Sequence, residues 1–126
     1  HLCDAFSGRS LVNVGCNLEG DCDLPAEIKI AIYRIAQETL NNIAKHAQAK
    51  NVEMNLVCQD GKVVLDIFDD GRGFNPGVVP SDHLGLNIMQ ERAQRIGAEI
   101  TINSVRGEGT RVRVTWEGEE KKSEPL

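Results

Sequence analysis

Aromatic residues are scarce in this 126-residue chain: three phenylalanines, one tyrosine and one tryptophan, at Phe6, Tyr33, Phe68, Phe74 and Trp116. They are too few and too scattered to build a base-stacking platform. An excess of basic charge is also missing. Fourteen Lys and Arg stand against nineteen Asp and Glu, a net charge of −5, which argues against nucleic acid or anionic lipid as a nonspecific partner. No run approaches the ~20 apolar residues of a membrane span, so no direct membrane contact is expected. A signal-peptide pattern is absent, and the sequence opens at His1 rather than methionine, so it reads as a piece of a longer chain. The four cysteines, Cys3, Cys16, Cys22 and Cys58, form no C-x-x-C pair. Only His46 and His83 could join them in a metal set, and at no familiar spacing. They are expected to be reduced, mostly packed thiols in a cytoplasmic protein.

What is present suffices for one domain with a core of its own. Apolar alternation at Leu11, Val12, Val14 and Cys16 predicts a strand within residues 9–17. Leu24-Pro25 then introduces a helix in which Ile28, Ile32, Ile35, Leu40, Ile43 and Ala47 recur at three- and four-residue steps. Val52, Met54, Leu56 and Cys58 alternate with polar residues, and Val63, Leu65 and Ile67 resume the pattern after Asp60-Gly61, a strong hairpin signal. Residues 71–83 are rich in Gly, Pro, Asp and Ser and predict a loop. A second helix carries Leu86, Met89, Ala93 and Ile96, with Gly97 at its C-cap. Two strands follow, over 99–104 and 110–116, joined by a turn at Gly107 and Gly109. The domain is expected over 8–116, after a leader at 1–7 and before a charged, frayed tail at 117–126. Strands with one polar face predict a mixed sheet with helices on one side, an α/β two-layer sandwich.

Four places are not explained by packing alone. Glu38, Asn42 and Lys45 fall within about 60° on the first helix, at the border of its apolar stripe. A solvated flank with an Arg34–Glu38 ion pair accounts for Glu38 and Lys45. It accounts poorly for Asn41-Asn42, because asparagine is a weak helix former. A carboxamide oxygen beside a carboxylate also suits Mg²⁺, and Lys45 suits a phosphate. Asp69 continues the buried phase of Val63, Leu65 and Ile67, costly for a carboxylate without donors. Alternatively it turns to solvent and caps the Gly71 turn, which Asp70 could do equally well. Gly71 and Gly73 permit close backbone approach to a planar ligand. Gly85 and Leu86 open a helix whose free N–H groups suit an anion, or serve turn geometry alone. The Gly107–Thr110 stretch reads by itself as a hairpin turn.

In this order the segments resemble the catalytic ATP-binding domain of bacterial sensor histidine kinases, in the superfamily shared with DNA gyrase, mismatch-repair ATPases and heat-shock chaperones (the Bergerat or GHKL fold). Residues 33–47, from Tyr33 through Glu38, Asn42, Lys45 and His46 to Ala47, look like the N box. Asp69-Asp70-Gly71-Arg72-Gly73 looks like the first glycine box, D-x-G-x-G. His83-Leu84-Gly85-Leu86-Asn87 opens the second, in the form of the nitrate-sensor-like kinases that pair with helix-turn-helix response regulators. Gly107-Glu108-Gly109-Thr110 matches the last. The likeness implies that Asp69 accepts a hydrogen bond from the adenine amine, that Gly71 and Gly73 let the backbone pass the base, and that Thr110 reaches it through water. It further implies that Asn42 ligates Mg²⁺, that Glu38 orients a metal-bound water or acts as a base, and that Lys45 and His46 face the phosphates. Gly85 and Leu86 offer them N–H groups. The lid is short and lacks the phenylalanine-bearing box of larger kinases.

The phosphoacceptor histidine of such kinases sits on a separate dimerisation domain, and neither His1, His46 nor His83 has the acidic helical setting of one. The resemblance therefore implies ATP and Mg²⁺ as cofactors and no self-phosphorylation by this fragment. It also implies a homodimeric parent, which is free to carry a membrane anchor, and a response regulator as indirect partner, the isolated domain being a monomer. An anti-sigma-type serine kinase and a nucleotide-binding regulatory module are the competing functions on the same fold.

Overall fold

A five-stranded mixed sheet carries two helices on one face in the computed structural model, which describes residues 13–20, 23–73 and 86–118. The elements are β1 (Asn13–Gly20), α1 (Ala26–Asn42), β2 (Asn51–Gln59), β3 (Lys62–Asp69), α2 (Leu86–Arg95), β4 (Glu99–Val105) and β5 (Gly109–Glu117). The strands lie in the order β1-β2-β3-β5-β4. Only β1 and β2 are parallel, and such a pair needs a crossover long enough to hold α1. The α/β two-layer sandwich read from the sequence is the architecture found.

Local chemistry explains the boundaries. Pro25 immediately precedes α1, and its carbonyl accepts from Ile28 N and Lys29 N at 3.0 and 3.1 Å. The β2–β3 hairpin turns on Asp60 and Gly61 at φ 53° and 77°, the pair of positive φ values that a two-residue type I′ turn requires. Gly97, at φ 73°, ends α2: Ala98 N donates to Ala93 O at 2.8 Å and Gly97 N to Gln94 O at 3.0 Å, a Schellman closure. The sequence spacing predicts one helix through Ala47. Instead α1 stops at Asn42, and Ile43–Ala47 form a wider π-helical turn that ends on Gln48 in the left-handed region. β1 runs on to Gly20, β5 reaches Glu117, and Gly118 N donates to Gly61 O, so the sheet takes in the start of the charged tail. The leader at 1–7, the loop from residue 74 to 85 and residues 119–126 lie outside the described residues.

The core fills the space between α1, α2 and the inner sheet face. Ile28, Ile32, Ile35, Leu40 and Ile43 of the first helix and its π turn meet Val52, Val63, Leu65, Ile67, Val112 and Val114, with Met89 and Ala93 from α2. Trp116 Nε1 donates to Ile96 O at 2.8 Å and ties the end of α2 to β5. The outer face is polar. There Arg113 bonds Asp66 at 3.1 Å, and the Arg111 guanidinium sits 5.3 Å from the Phe68 ring centroid.

The cysteines correct an expectation. Cys16 and Cys58 are both disulfide-bonded rather than reduced. The ladder sets Cys16 opposite Met54 and Cys58 opposite Gly20. Four residues of strand, about 13 Å, therefore separate them, too far for a bond to each other. No helix among the described residues is long and apolar enough to cross a membrane.

Leu65 sits at the middle of β3 with 2% of its surface exposed. Leu65→Ala is expected to lower unfolding free energy by about 2–5 kcal/mol, read as a lower urea midpoint at unchanged slope.

Candidate functional site

The inner face at one end of the sheet carries a row of aligned residues. Val52 pairs with Asp69, Asp69 with Thr110, and Thr110 with Ser104, across β2, β3, β5 and β4. Asp69 is 2% exposed, on the buried phase that strand periodicity assigns it. Its Oδ1 accepts from Gly71 N at 2.8 Å, while Oδ2 accepts from no described residue. Asp69 thus does cap the Gly71 turn, but from inside the fold rather than from solvent. Burial raises its pKa; the Gly71 N–H opposes that rise and the neighbouring Asp70 charge adds to it.

Asp70 turns the other way. Its carboxylate accepts from Lys50 N (2.9 Å), Asn51 N (3.0 Å) and Asn51 Nδ2 (2.9 Å), and its own N–H donates to Asn51 O at 3.2 Å. The bonds from Asn51 chiefly hold its pKa below the usual carboxylate range.

Glycines weld the β4–β5 turn to this box. Gly109, at φ 118°, lies so close to β3 that a Cβ there would sit 2.1 Å from Asp69 O. A Cβ on Gly73, at φ 63°, would sit 2.2 Å from Val105 O, and Gly107 N donates to Arg72 O at 2.6 Å. Only residues without a side chain fit two backbones at that separation. Gly71 contributes through its N–H and is itself buried. The hairpin-turn reading of Gly107–Thr110 is therefore incomplete: the turn also forms one wall of the Asp69 site. Thr110 Oγ1 shares a 2.7 Å hydrogen bond with Ser104 Oγ. Ser104 went unnoticed in the sequence, although counting back across the Gly107–Gly109 turn pairs it with Thr110.

The topology brings the end of α1 to the same place. As β1 and β2 are parallel, α1 runs back across the sheet and delivers its C-terminus beside the start of β2, which is where β3 ends. Glu38 and Asn42 are half-buried, one turn apart on one helix flank, and Lys45 is exposed on the π turn. Glu38 makes no ion pair with Arg34; the pairs among the described residues join Arg111 and Arg113 to Asp66. Thr39, one residue past Glu38, bonds Ile35 O at 2.8 Å and contacts Met89 Sδ at 3.2 Å. That contact seats the first turn of α2, which begins at Leu86, against the end of α1. The His46 side chain and Gly85 lie outside the described residues. No group of three or more His, Cys, Asp or Glu that could hold a metal occurs among the described residues. Asn42 and Glu38 offer two hard-oxygen donors, a set that fits Mg²⁺, which keeps several waters and takes few protein ligands beside a phosphate substrate.

The two turn glycines should respond differently to a methyl group. Gly107→Ala meets nothing within 4 Å and carries only the left-handed backbone penalty of about 1–2 kcal/mol. Gly109→Ala adds the collision with Asp69 O and is expected to lose clearly more stability in chemical denaturation. Equal losses would show that this close approach does not constrain the fold.

Residues 27–120 match the family of histidine kinase-, DNA gyrase B- and HSP90-like ATPases. The chain is 31% identical over 113 residues to the sensor histidine kinase LiaS of Bacillus subtilis, covering 90% of this chain and 31% of that protein. It is 37% identical over 109 residues to the nitrate/nitrite sensor protein NarQ of Escherichia coli, covering 79% of this chain and 19% of that one. It thus spans a third or less of the length of these curated relatives. The blue-light activated histidine kinase EL346 of Erythrobacter litoralis shares the fold, with a TM-score of 0.79 at 23% identity over 98% of this chain and 41% of that one. A buried aspartate ending a central strand, its backbone packed against a glycine of the last turn, is thus placed in context: the chain belongs to the histidine kinase-, DNA gyrase B- and HSP90-like ATPase family, as a catalytic ATP-binding domain of the sensor histidine kinase type.

Proposed function

We propose that the domain binds Mg·ATP across this end of the sheet and presents the γ-phosphoryl group to a histidine on a separate dimerisation domain of its parent chain. A response regulator with helix-turn-helix output then takes the group from that histidine. The observation that carries the reading is Asp69, a carboxylate 2% exposed with one oxygen committed to Gly71 and the other open to a donor. A desolvated carboxylate is retained at a strand end when a ligand supplies the missing hydrogen bond.

In this reading Asp69 Oδ2 accepts from the exocyclic amine of adenine, and the backbone of Gly71 and Gly73 lines the base. Thr110, held by Ser104, reaches the base through water. Asn42 supplies its carboxamide oxygen to Mg²⁺, and Glu38 orients a water of that ion or acts as a base. When bound, the cation held by these residues would supply neutralisation of phosphate charge. Lys45 and His46 face the phosphates, and the N–H groups of Gly85 and Leu86 add the anion-binding end of α2. Rate enhancement of this kind comes from positioning and charge neutralisation, not covalent chemistry. Such a domain works in the cytoplasm, where ATP and the response regulator are met. It is a monomer in isolation, within a homodimeric parent.

A thermal melt is the direct test: Mg·ATP should raise the midpoint by mass action, and no shift at millimolar ligand would remove the reading. Labelled γ-phosphate should reach a dimerisation domain supplied in trans but not this domain alone. Asp69→Asn should weaken ATP by about 1–3 kcal/mol, the scale of a charged hydrogen bond. Because burial raises the Asp69 pKa, the folded state binds its proton more tightly than the unfolded state. Its contribution to stability is therefore full below the usual carboxylate range and is lost as pH rises through the raised value. The ligand-free Asp69→Asn protein should then melt no lower than wild type at pH 7, with any gain vanishing in acid. Asn42→Ala should weaken ATP binding in the presence of Mg²⁺ and leave Mg²⁺-free binding nearly unchanged, as measured by calorimetry.

A further inference from the structure

The carboxylate of Asp70 has no part in the site as the resemblance assigns it, yet it accepts three hydrogen bonds. Three donors converge on it, Lys50 N, Asn51 N and Asn51 Nδ2, all within 3.0 Å, and its own N–H returns a bond to Asn51 O. The two partners lie two and three residues past the left-handed Gln48 that ends the π turn Ile43–Ala47. Asp70 itself immediately follows Asp69, the last residue of β3.

The two segments so joined carry opposite ends of the proposed ligand. Asp69 does not need the join, because it is fixed by pairing on both sides, to Val52 and Thr110, and by the Gly71 N–H. The exit from the π turn is in a different position. The N–H groups of Lys50 and Asn51 both terminate on Asp70, at the point where the chain leaving the turn that bears Lys45 enters β2, whose first residue Asn51 pairs with Asn13 of β1. Charge-assisted bonds of this kind are shorter and stronger than neutral ones, and a positioned group functions only when its supporting residues are themselves locked.

We infer that Asp70, with Asn51, is a positioning residue that sets the distance between the base-binding strand end and the phosphate-facing π turn, so that ATP is gripped at both ends at once. The inference rests on the nucleotide reading above. It goes beyond it by giving a role to the variable position of the D-x-G-x-G box.

The experiment measures Mg·ATP and adenosine affinities by NMR shift titration for the wild type, Asp70→Ala, Asp70→Asn and Asn51→Ala. Adenosine spans only the strand end, so its affinity should stay within about twofold in every variant, whereas ATP should weaken about tenfold in Asp70→Ala. Asp70→Asn keeps a carboxamide oxygen for the two backbone donors and should restore ATP binding to within about threefold of wild type. Should Asp70→Ala fail to fold, Asn51→Ala, which leaves both backbone bonds in place, should still weaken ATP selectively. Equal loss of both ligands, or no loss of ATP in a folded Asp70→Ala or in Asn51→Ala, overturns the positioning role and leaves the nucleotide site standing. A wild-type protein that responds to neither ligand overturns both.

Discussion

Everything at this end of the molecule is arranged around one desolvated carboxylate. Asp69 ends β3 with almost no exposed surface and a raised pKa, and a single backbone N–H compensates one of its oxygens. A fold tolerates such a group only if its surroundings are rigid, since any loosening would let water in or turn the side chain out. The rigidity comes from backbone packed on backbone. Gly73 and Gly109 bring the box and the β4–β5 turn closer than any side chain allows, and the Gly107 N–H closes the contact at Arg72 O.

The helical side has a complementary logic. A regular helix through Ala47 would continue the rotation that places Glu38 and Asn42 on one flank. The π turn from Ile43 breaks that rotation and leaves Lys45 in solvent before the chain reverses at Gln48. Wider turns of this kind recur at functional sites because they redirect side chains without ending the helix. Met89 against Thr39 then holds the second helix to the first just before this departure.

The core and the candidate site share the inner face of the sheet and are separated along its strands. The inner face is apolar from Val63 to Ile67 and becomes polar only at the Asp69–Thr110–Ser104 row. The outer face spends its polarity on a local network of Asp66, Arg111, Arg113 and Phe68. The disulfides of Cys16 and Cys58 lie on the inner side of β1 and β2, at the edge away from Thr110 and Ser104. Cysteine spacing along the chain does not show such bonds, because their partners are set by the fold.

By itself the sequence determined the elements and their inward faces. Period-two patterns, the period-3.6 pattern as far as Asn42, the Asp60-Gly61 turn and the Gly97 cap are local consequences of side-chain direction and backbone sterics, and the structure shows each of them. The buried phase of Asp69 followed from the same counting. What depended on distant residues was invisible to it. The switch to a π turn after Asn42, the absence of an Arg34–Glu38 pair and the Asp70–Asn51 clasp are decided by what packs across eighteen or more residues of chain or at a helix end. The tertiary structure alone determined that Gly109 is fitted to Asp69 rather than merely turning a hairpin, because a glycine's sequence position shows its conformational freedom but not the neighbour that requires it.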